Sequence, residues 1–156
     1  ASVYPEHIAI IHGKSRTSYE AFYARARKLA SALVKAGIKK GETVSAILAN
    51  TPAMLECHYG VPMMGAVLNT LNTRQDAATI GFSLDHAETK FLIVDKEFSG
   101  LAKNSIQLMK GPKPIVVDYV DPEFPVEGAS LASVACPESQ TASDRNGVVS
   151  PATQAP

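Results

Sequence analysis

Apolar and polar positions divide the chain into short β-branched runs separated by stretches of helical period. Ile8-Ala9-Ile10-Ile11 is the first run. Gly13-Lys14 after His12 suits a type II′ hairpin turn, with Ser15 to Thr17 as the return strand. Thr17 and Glu20 have capping-box spacing and predict a helix start. Phe22, Ala26, Leu29, Ala30 and Leu33 follow at helical spacing, and Gly37-Ile38 supplies a Schellman stop. Thr43 to Leu48 reads as a strand. Thr51-Pro52 reads as the cap and first turn of a largely buried helix to about Met64, which Pro62 should kink or end. Val67 to Thr70 is the next strand, and Thr73 is the expected cap of a helix from Gln75 to about His86. Phe91 to Val94 then predicts a strand, Glu97 to Met109 a helix, and Ile115 to Asp118 a last strand after the Gly111-Pro112-Lys113-Pro114 breaker.

Uncharged strands alternating with helices are what a parallel sheet covered on both faces requires. The expected fold class is therefore α/β: three layers, a mostly parallel sheet with helices on both faces, and a short N-terminal β-hairpin. Right-handed crossovers follow from strand twist. The pattern assigns residues 1–128 to one α/β unit. From Ala129 to Pro156 there is no aromatic residue, and Ala, Ser, Thr, Gln and Pro dominate. Such a stretch buries too little apolar surface to offset its ordering entropy, so 129–156 is expected to be a flexible tail.

Charge narrows the choice of partners. Fifteen basic and fifteen acidic residues cancel, leaving no field to hold nucleic acid or an anionic membrane. Gly60 to Leu71, the most apolar stretch, is far shorter than the roughly 20 residues of a membrane span. No signal-peptide pattern opens the chain. Cys57 and Cys136 lie far apart without CxxC or zinc spacing, so a reduced, cytoplasmic setting is expected, with a single disulfide left open.

Gly13-Lys14-Ser15 looks like the end of a phosphate-binding P-loop, but the position that needs the earlier glycine is Ile8. Cys57 and His58 are adjacent, hence on different faces of a helix, and do not pair as nucleophile and base. A buried structural thiol is the better reading of Cys57. His58 and His86 lack acidic or cysteine partners at metal-ligand spacing. What remains is Asn50-Thr51 and Asn72-Thr73-Arg74, each placed where a strand ends and a helix begins. In open parallel sheets ligands favour this carboxyl edge, helix N-termini attract anions, and Arg74 adds a positive charge. These five residues are the candidate cofactor-binding set. The competing reading makes the threonines caps and Arg74 a surface arginine.

Arg16-Thr17-Ser18-Tyr19-Glu20 resembles the first core motif of the adenylate-forming acyl-CoA synthetases. Leu29-Ala30-Ser31-Ala32-Leu33 and Gly37-Ile38-Lys39-Lys40-Gly41-Glu42-Thr43-Val44 are similar to that family's helix, turn and first strand. His58-Tyr59-Gly60-Val61-Pro62-Met63, Gly65-Ala66-Val67-Leu68-Asn69-Thr70-Leu71-Asn72-Thr73-Arg74 and Phe91-Leu92-Ile93-Val94-Asp95 look like its medium- and long-chain fatty acyl branch. The likeness runs from about Val3 to Pro125.

It implies an α/β fold and a reaction in which a carboxylic acid and ATP form an acyl-adenylate, followed by acyl transfer to CoA. ATP or AMP, CoA and magnesium are thus implied as cofactors. The family's Ser/Thr/Gly-rich phosphate loop ending in lysine does not occur in these 156 residues. Nor do its later ribose-binding acid and C-terminal-domain lysine, so no catalytic residue is carried over. The expectation is a truncated N-terminal portion unable to adenylate alone. The alternatives are a stand-alone nucleotide- or CoA-binding module and a non-catalytic self-associating protein. Truncation of such a domain bares apolar surface, so the expected partner is a second copy or the missing remainder of the synthetase.

Overall fold

The computed structural model describes residues 1–123. The expected tail at 129–156, and Cys136 within it, lie outside the described residues. Strands β1 (Ile8–His12) and β2 (Ser15–Ser18) form an antiparallel hairpin. Its turn carries Gly13 at φ +54°, a conformation that glycine adopts without steric cost.

Helix α1 (Tyr19–Lys35) follows directly, capped by Ser18, whose hydroxyl accepts the Ala21 N–H at 3.2 Å. The capping-box spacing places this role on Thr17. Thr17 is still paired with Ile10 in the hairpin, so the cap falls one residue later. The helix ends as expected. Ile38 N–H reaches the Leu33 carbonyl at 3.1 Å and Gly37 N–H the Val34 carbonyl at 3.0 Å, with Gly37 left-handed at φ +90°.

Four parallel strands make the sheet: β3 (Thr43–Ile47), β4 (Val67–Thr70), β5 (Thr89–Asp95) and β6 (Ile115–Tyr119), in spatial order β4-β3-β5-β6. Helix α2 (Pro52–Met63) joins β3 to β4 and closes one residue after Pro62. Helix α3 (Ala77–His86) joins β4 to β5, and a 3₁₀ turn (Lys96–Phe98) with helix α4 (Ser99–Leu108) joins β5 to β6.

Two boundaries differ from the hydropathy reading. Asp76 rather than Thr73 caps α3, accepting the Thr79 N–H at 2.8 Å and the Thr79 hydroxyl at 2.9 Å. The Asn72 carboxamide accepts the Arg74 N–H at 2.9 Å. This Asx turn delays the helix to Asp76. Strand β5 also outruns its apolar stretch at both ends. The Thr89 and Ser45 hydroxyls are 2.7 Å apart, and Asn69 Nδ2 donates to Ser45 Oγ at 3.0 Å. Polar groups satisfied in this way sit inside the sheet without marking the strand by hydropathy.

The alternation of side chains along the strands assigns the two faces. Val44, Ala46, Leu48, Phe91 and Ile93 pack with Leu33 of α1 and Cys57 and Val61 of α2. Ile47, Leu92, Val94 and Val116 pack with Ile80 and Leu84 of α3 and Ala102 of α4. Fully burying each large aliphatic side chain contributes about 1.5–3 kcal/mol. Two glycines let the helices of each layer approach. A Cβ on Gly60 would stand 2.8 Å from the Ala26 carbonyl oxygen, and one on Gly81 would stand 2.8 Å from that of Ser105. No described helix is long and apolar enough to cross a membrane.

Candidate functional site

The order β4-β3-β5-β6 means that the chain leaves β3 towards one edge of the sheet and then crosses back to the other side. The reversal lies between the carboxyl ends of β3 and β5, where open α/β sheets form their ligand crevice. The chain leaving β3 passes through Asn50, which is exposed, to Thr51, which is buried and opens α2 ahead of Pro52 at its first position. The neighbouring strand β4 delivers Asn72, Thr73 and Arg74 to the same edge, where the Leu71 N–H extends the ladder to the Ala46 carbonyl at 2.9 Å. Arg74 is exposed.

Both candidate segments therefore reach the carboxyl edge, but they face different neighbours. The Thr51 hydroxyl makes no capping bond to α2, so the threonine holds the cap position without the cap's hydrogen bond. Its polar neighbour is the Tyr119 phenol at the end of β6. Among the described residues no side-chain hydrogen bond joins the Asn50-Thr51 segment to the Asn72–Arg74 segment.

The structure adds a polar cluster at this edge that sequence reasoning missed. Arg25 of α1 grips Glu56 of α2: Nε donates to Oε1, and Nη2 donates to Oε2 at 3.4 Å. The Glu56 hydrogen bond, against the cost of burial, holds the Arg25 guanidinium above its ordinary pKa. Burial, then the Asp121 charge, push the Tyr119 phenol up to about 12, while Thr51 pulls the other way. The phenol therefore keeps its proton at neutral pH.

Nearby, His12 Nε2 meets Asp121 Oδ2 at 2.7 Å, so the hairpin is held to the segment after β6. The Lys14 N–H donates to Glu123 Oε2 at 3.3 Å and adds to this attachment. Asp95, buried at the end of β5, accepts the Glu97 N–H at 3.2 Å. Desolvation, reinforced by the Glu97 and Asp121 charges, raises its carboxyl above the ordinary value. Glu56, the one acidic residue on α2, and Asp95, closing an apolar run, were the available sequence signals. The Arg25–Glu56 and His12–Asp121 pairings were not readable, because their partners lie 31 and 109 residues apart.

The other candidates are accounted for locally. Gly13-Lys14-Ser15 forms the hairpin turn and the start of β2. Cys57 is a free thiol, and burial pushes it up to about 12. His58 Nδ1 donates to the Met54 carbonyl at 2.9 Å, and His86 stacks on Phe82. A shallow depression of about 350 Å³, lined by Glu42, Thr43, His86, Glu88 and Lys90 among others, lies at the opposite, amino edge.

The family described as AMP-binding enzyme matches residues 1–153. The peroxisomal acetate/butyrate–CoA ligase of Arabidopsis thaliana is 46% identical over 110 residues, covering 70% of this chain and 19% of its own length. The peroxisomal benzoate–CoA ligase of the same plant is 44% identical over 106 residues, covering 68% of this chain and 18% of its own. The chain thus spans about a fifth of the length of these curated relatives. Among solved structures, a long-chain-fatty-acid CoA ligase from Rhodopseudomonas palustris, itself described as putative, superposes with a TM-score of 0.71 at 23% identity. That match covers 92% of this chain and 36% of the other. With four parallel strands, two helical layers and the leading hairpin in common with such structures, and with this sequence match over nearly its whole length, the chain belongs to the AMP-binding enzyme family.

Proposed function

We propose that this chain supplies the N-terminal α/β portion of an acyl-CoA synthetase, a single unit over residues 1–128, and forms no acyl-CoA by itself. The observation that carries this is the 46% identity to a CoA ligase over 110 residues, 70% of this chain. The fatty acyl branch is the finer reading, supported by the residues from His58 to Arg74. The names of the similar ligases range from acetate and butyrate to benzoate.

Adenylation needs a clamp on the triphosphate, a magnesium ion and a cation facing the developing charge. Among the described residues no group of three or more His, Cys, Asp or Glu stands where a metal ion would be held. Magnesium would therefore come with the nucleotide or with groups elsewhere. The carboxyl edge does fit an anionic ligand. The N-terminus of α2 lacks a side-chain cap and Arg74 is exposed, so Asn50, Thr51, Asn72, Thr73 and Arg74 are proposed to face the nucleotide or CoA.

In the isolated chain, pyrophosphate release with fatty acid, ATP, magnesium and CoA should equal the protein-free blank; turnover would overturn the reading. Arg74→Ala should weaken AMP or CoA binding several-fold by calorimetry, and unchanged affinity would remove Arg74 from the site. Self-association or pairing with a synthetase remainder is proposed from the exposed apolar residues on the strands and helices. The buried free Cys57 suits a reducing compartment. The cytoplasm is proposed, and the peroxisomal names of the plant relatives make the peroxisome the alternative that fractionation distinguishes.

A further inference from the structure

Helix α2 inverts the pattern of a surface helix. Its covered face consists of Ala53, Glu56, Cys57, Gly60 and Val61, so the only Asp, Glu, Lys or Arg residue of the helix lies inside the protein. Its outer face consists of Leu55, His58, Tyr59, Pro62 and Met63, exposed residues that recur at intervals of three and four and so form one stripe. Leu55 is 38%, Tyr59 52% and Met63 43% exposed, and no carboxylate, ammonium or guanidinium lies among the five. A surface helix keeps its charges on the side away from the core, and a helix that is apolar all round is buried. The neighbours obey that rule. Helix α1 shows Glu20, Arg27, Lys28 and Lys35 to solvent, and α4 shows Lys103, Asn104 and Gln107. The stripe is also held in place. The Tyr59 ring meets the buried Phe22 ring of α1 edge-on with centroids 5.0 Å apart, His58 Nδ1 is turned to the Met54 carbonyl, and the adjoining Arg25 is neutralised by Glu56.

We propose that the Leu55–Met63 stripe seats the rest of the synthetase polypeptide, whose uncharged apolar surface packs across α2 and buries the helix on its second side. The curated relatives carry about four-fifths of their length outside the stretch matched here, so one such partner accompanies every copy of this unit. Covalent linkage gives that partner an effective concentration of about a millimolar for a short flexible linker, which a second copy at micromolar concentration does not match. An apolar surface docks there without stripping water from any charge. This rests on the synthetase reading and deepens its pairing part by naming the surface.

Thiol labelling tests it. Met63→Cys and Leu55→Cys are each made in a Cys136→Ser background, with the buried Cys57 as the slow internal standard. Maleimide labelling is followed in the full chain and in a chimera in which residues 1–123 replace the matching stretch of the 46% identical Arabidopsis ligase. Each rate is scaled to that of the same variant in urea. In the full chain alone both introduced thiols should label rapidly, and in the chimera burial should slow them about tenfold or more. Equal rates in chain and chimera overturn the proposal. So does slow labelling in the full chain alone, whether dilution relieves it, which gives the stripe to a second copy, or removal of residues 124–156 does, which gives it to the chain's own C-terminal stretch. A chimera that does not fold also overturns it, since a fitting surface is what is claimed. Acyl-CoA formation by a chimera whose stripe stays open removes the docking surface and keeps the synthetase reading, so the two fail separately.

Discussion

The two helical layers cover the same sheet but finish it differently. The α3/α4 layer is apolar from Ile80 and Leu84 through Ala102 to Met109 and covers β3, β5 and β6. The α1/α2 layer is equally apolar over β3 and β5. It carries the Arg25–Glu56 pair at the carboxyl end, where Tyr119 of β6 packs against it, while Ile115 and Val117 of β6 stay exposed. The first layer is a wall. The second carries the polar cluster that borders the candidate anion site.

If the α3/α4 layer is purely structural, cutting into it should produce the largest loss of stability with no specific effect on ligand binding. Leu84→Ala removes a side chain with no exposure to solvent and should cost about 2–5 kcal/mol, measured by urea denaturation. AMP or CoA affinity of the fraction that remains folded should not change.

Gly60→Ala tests the other layer. Its Cβ would stand 2.8 Å from a backbone oxygen of α1, and backbone cannot swing aside as a side-chain tip can. About 1–3 kcal/mol of destabilisation is expected. Because α2 opens at Thr51, the same substitution should also weaken ligand binding at the carboxyl edge, an effect that Leu84→Ala lacks. Equal binding effects from the two variants would erase the contrast between the layers.

The smallest effect concerns acid. Asp85, at the end of α3, accepts the Lys110 N–H at 2.7 Å and the Gly111 N–H at 3.0 Å. The Lys110 bond is the main reason its carboxyl lies below the ordinary 3.8. A carboxyl depressed in the folded state contributes stability that is fully present above its unfolded pKa and is lost as pH falls through the folded value. Asp85→Asn should therefore lower stability at neutral pH and flatten the loss below about pH 4. An acid limb identical to wild type, followed by thermal melts, would show that this link between α3 and the chain after α4 carries no proton-linked stability.

Much of the fold was legible because its signals are local. Gly37-Ile38 reads as a helix stop, and both of its hydrogen bonds are present. Thr51-Pro52 reads as a helix start, and α2 begins at Pro52. Legibility failed where a side chain had a competing local bond, as at Thr17 in the hairpin ladder and Asn72 in its Asx turn. The candidate site was legible only in part. Strand–helix junctions mark Asn50-Thr51 and Asn72–Arg74, because the carboxyl edge of a parallel sheet is a topological position. The Arg25–Glu56, Thr51–Tyr119 and His12–Asp121 contacts arise from folding distant segments together, and periodicity carries no information about them.

The most direct measurement is acyl-CoA formation by a chimera in which residues 1–123 replace the matching stretch of the 46% identical Arabidopsis ligase. If this chain is an acyl-CoA synthetase scaffold, the chimera should convert the parent's substrate within about tenfold of the parental rate, a loss of about 1.4 kcal/mol in transition-state stabilisation. A folded chimera that binds ATP yet forms no acyl-CoA would contradict that.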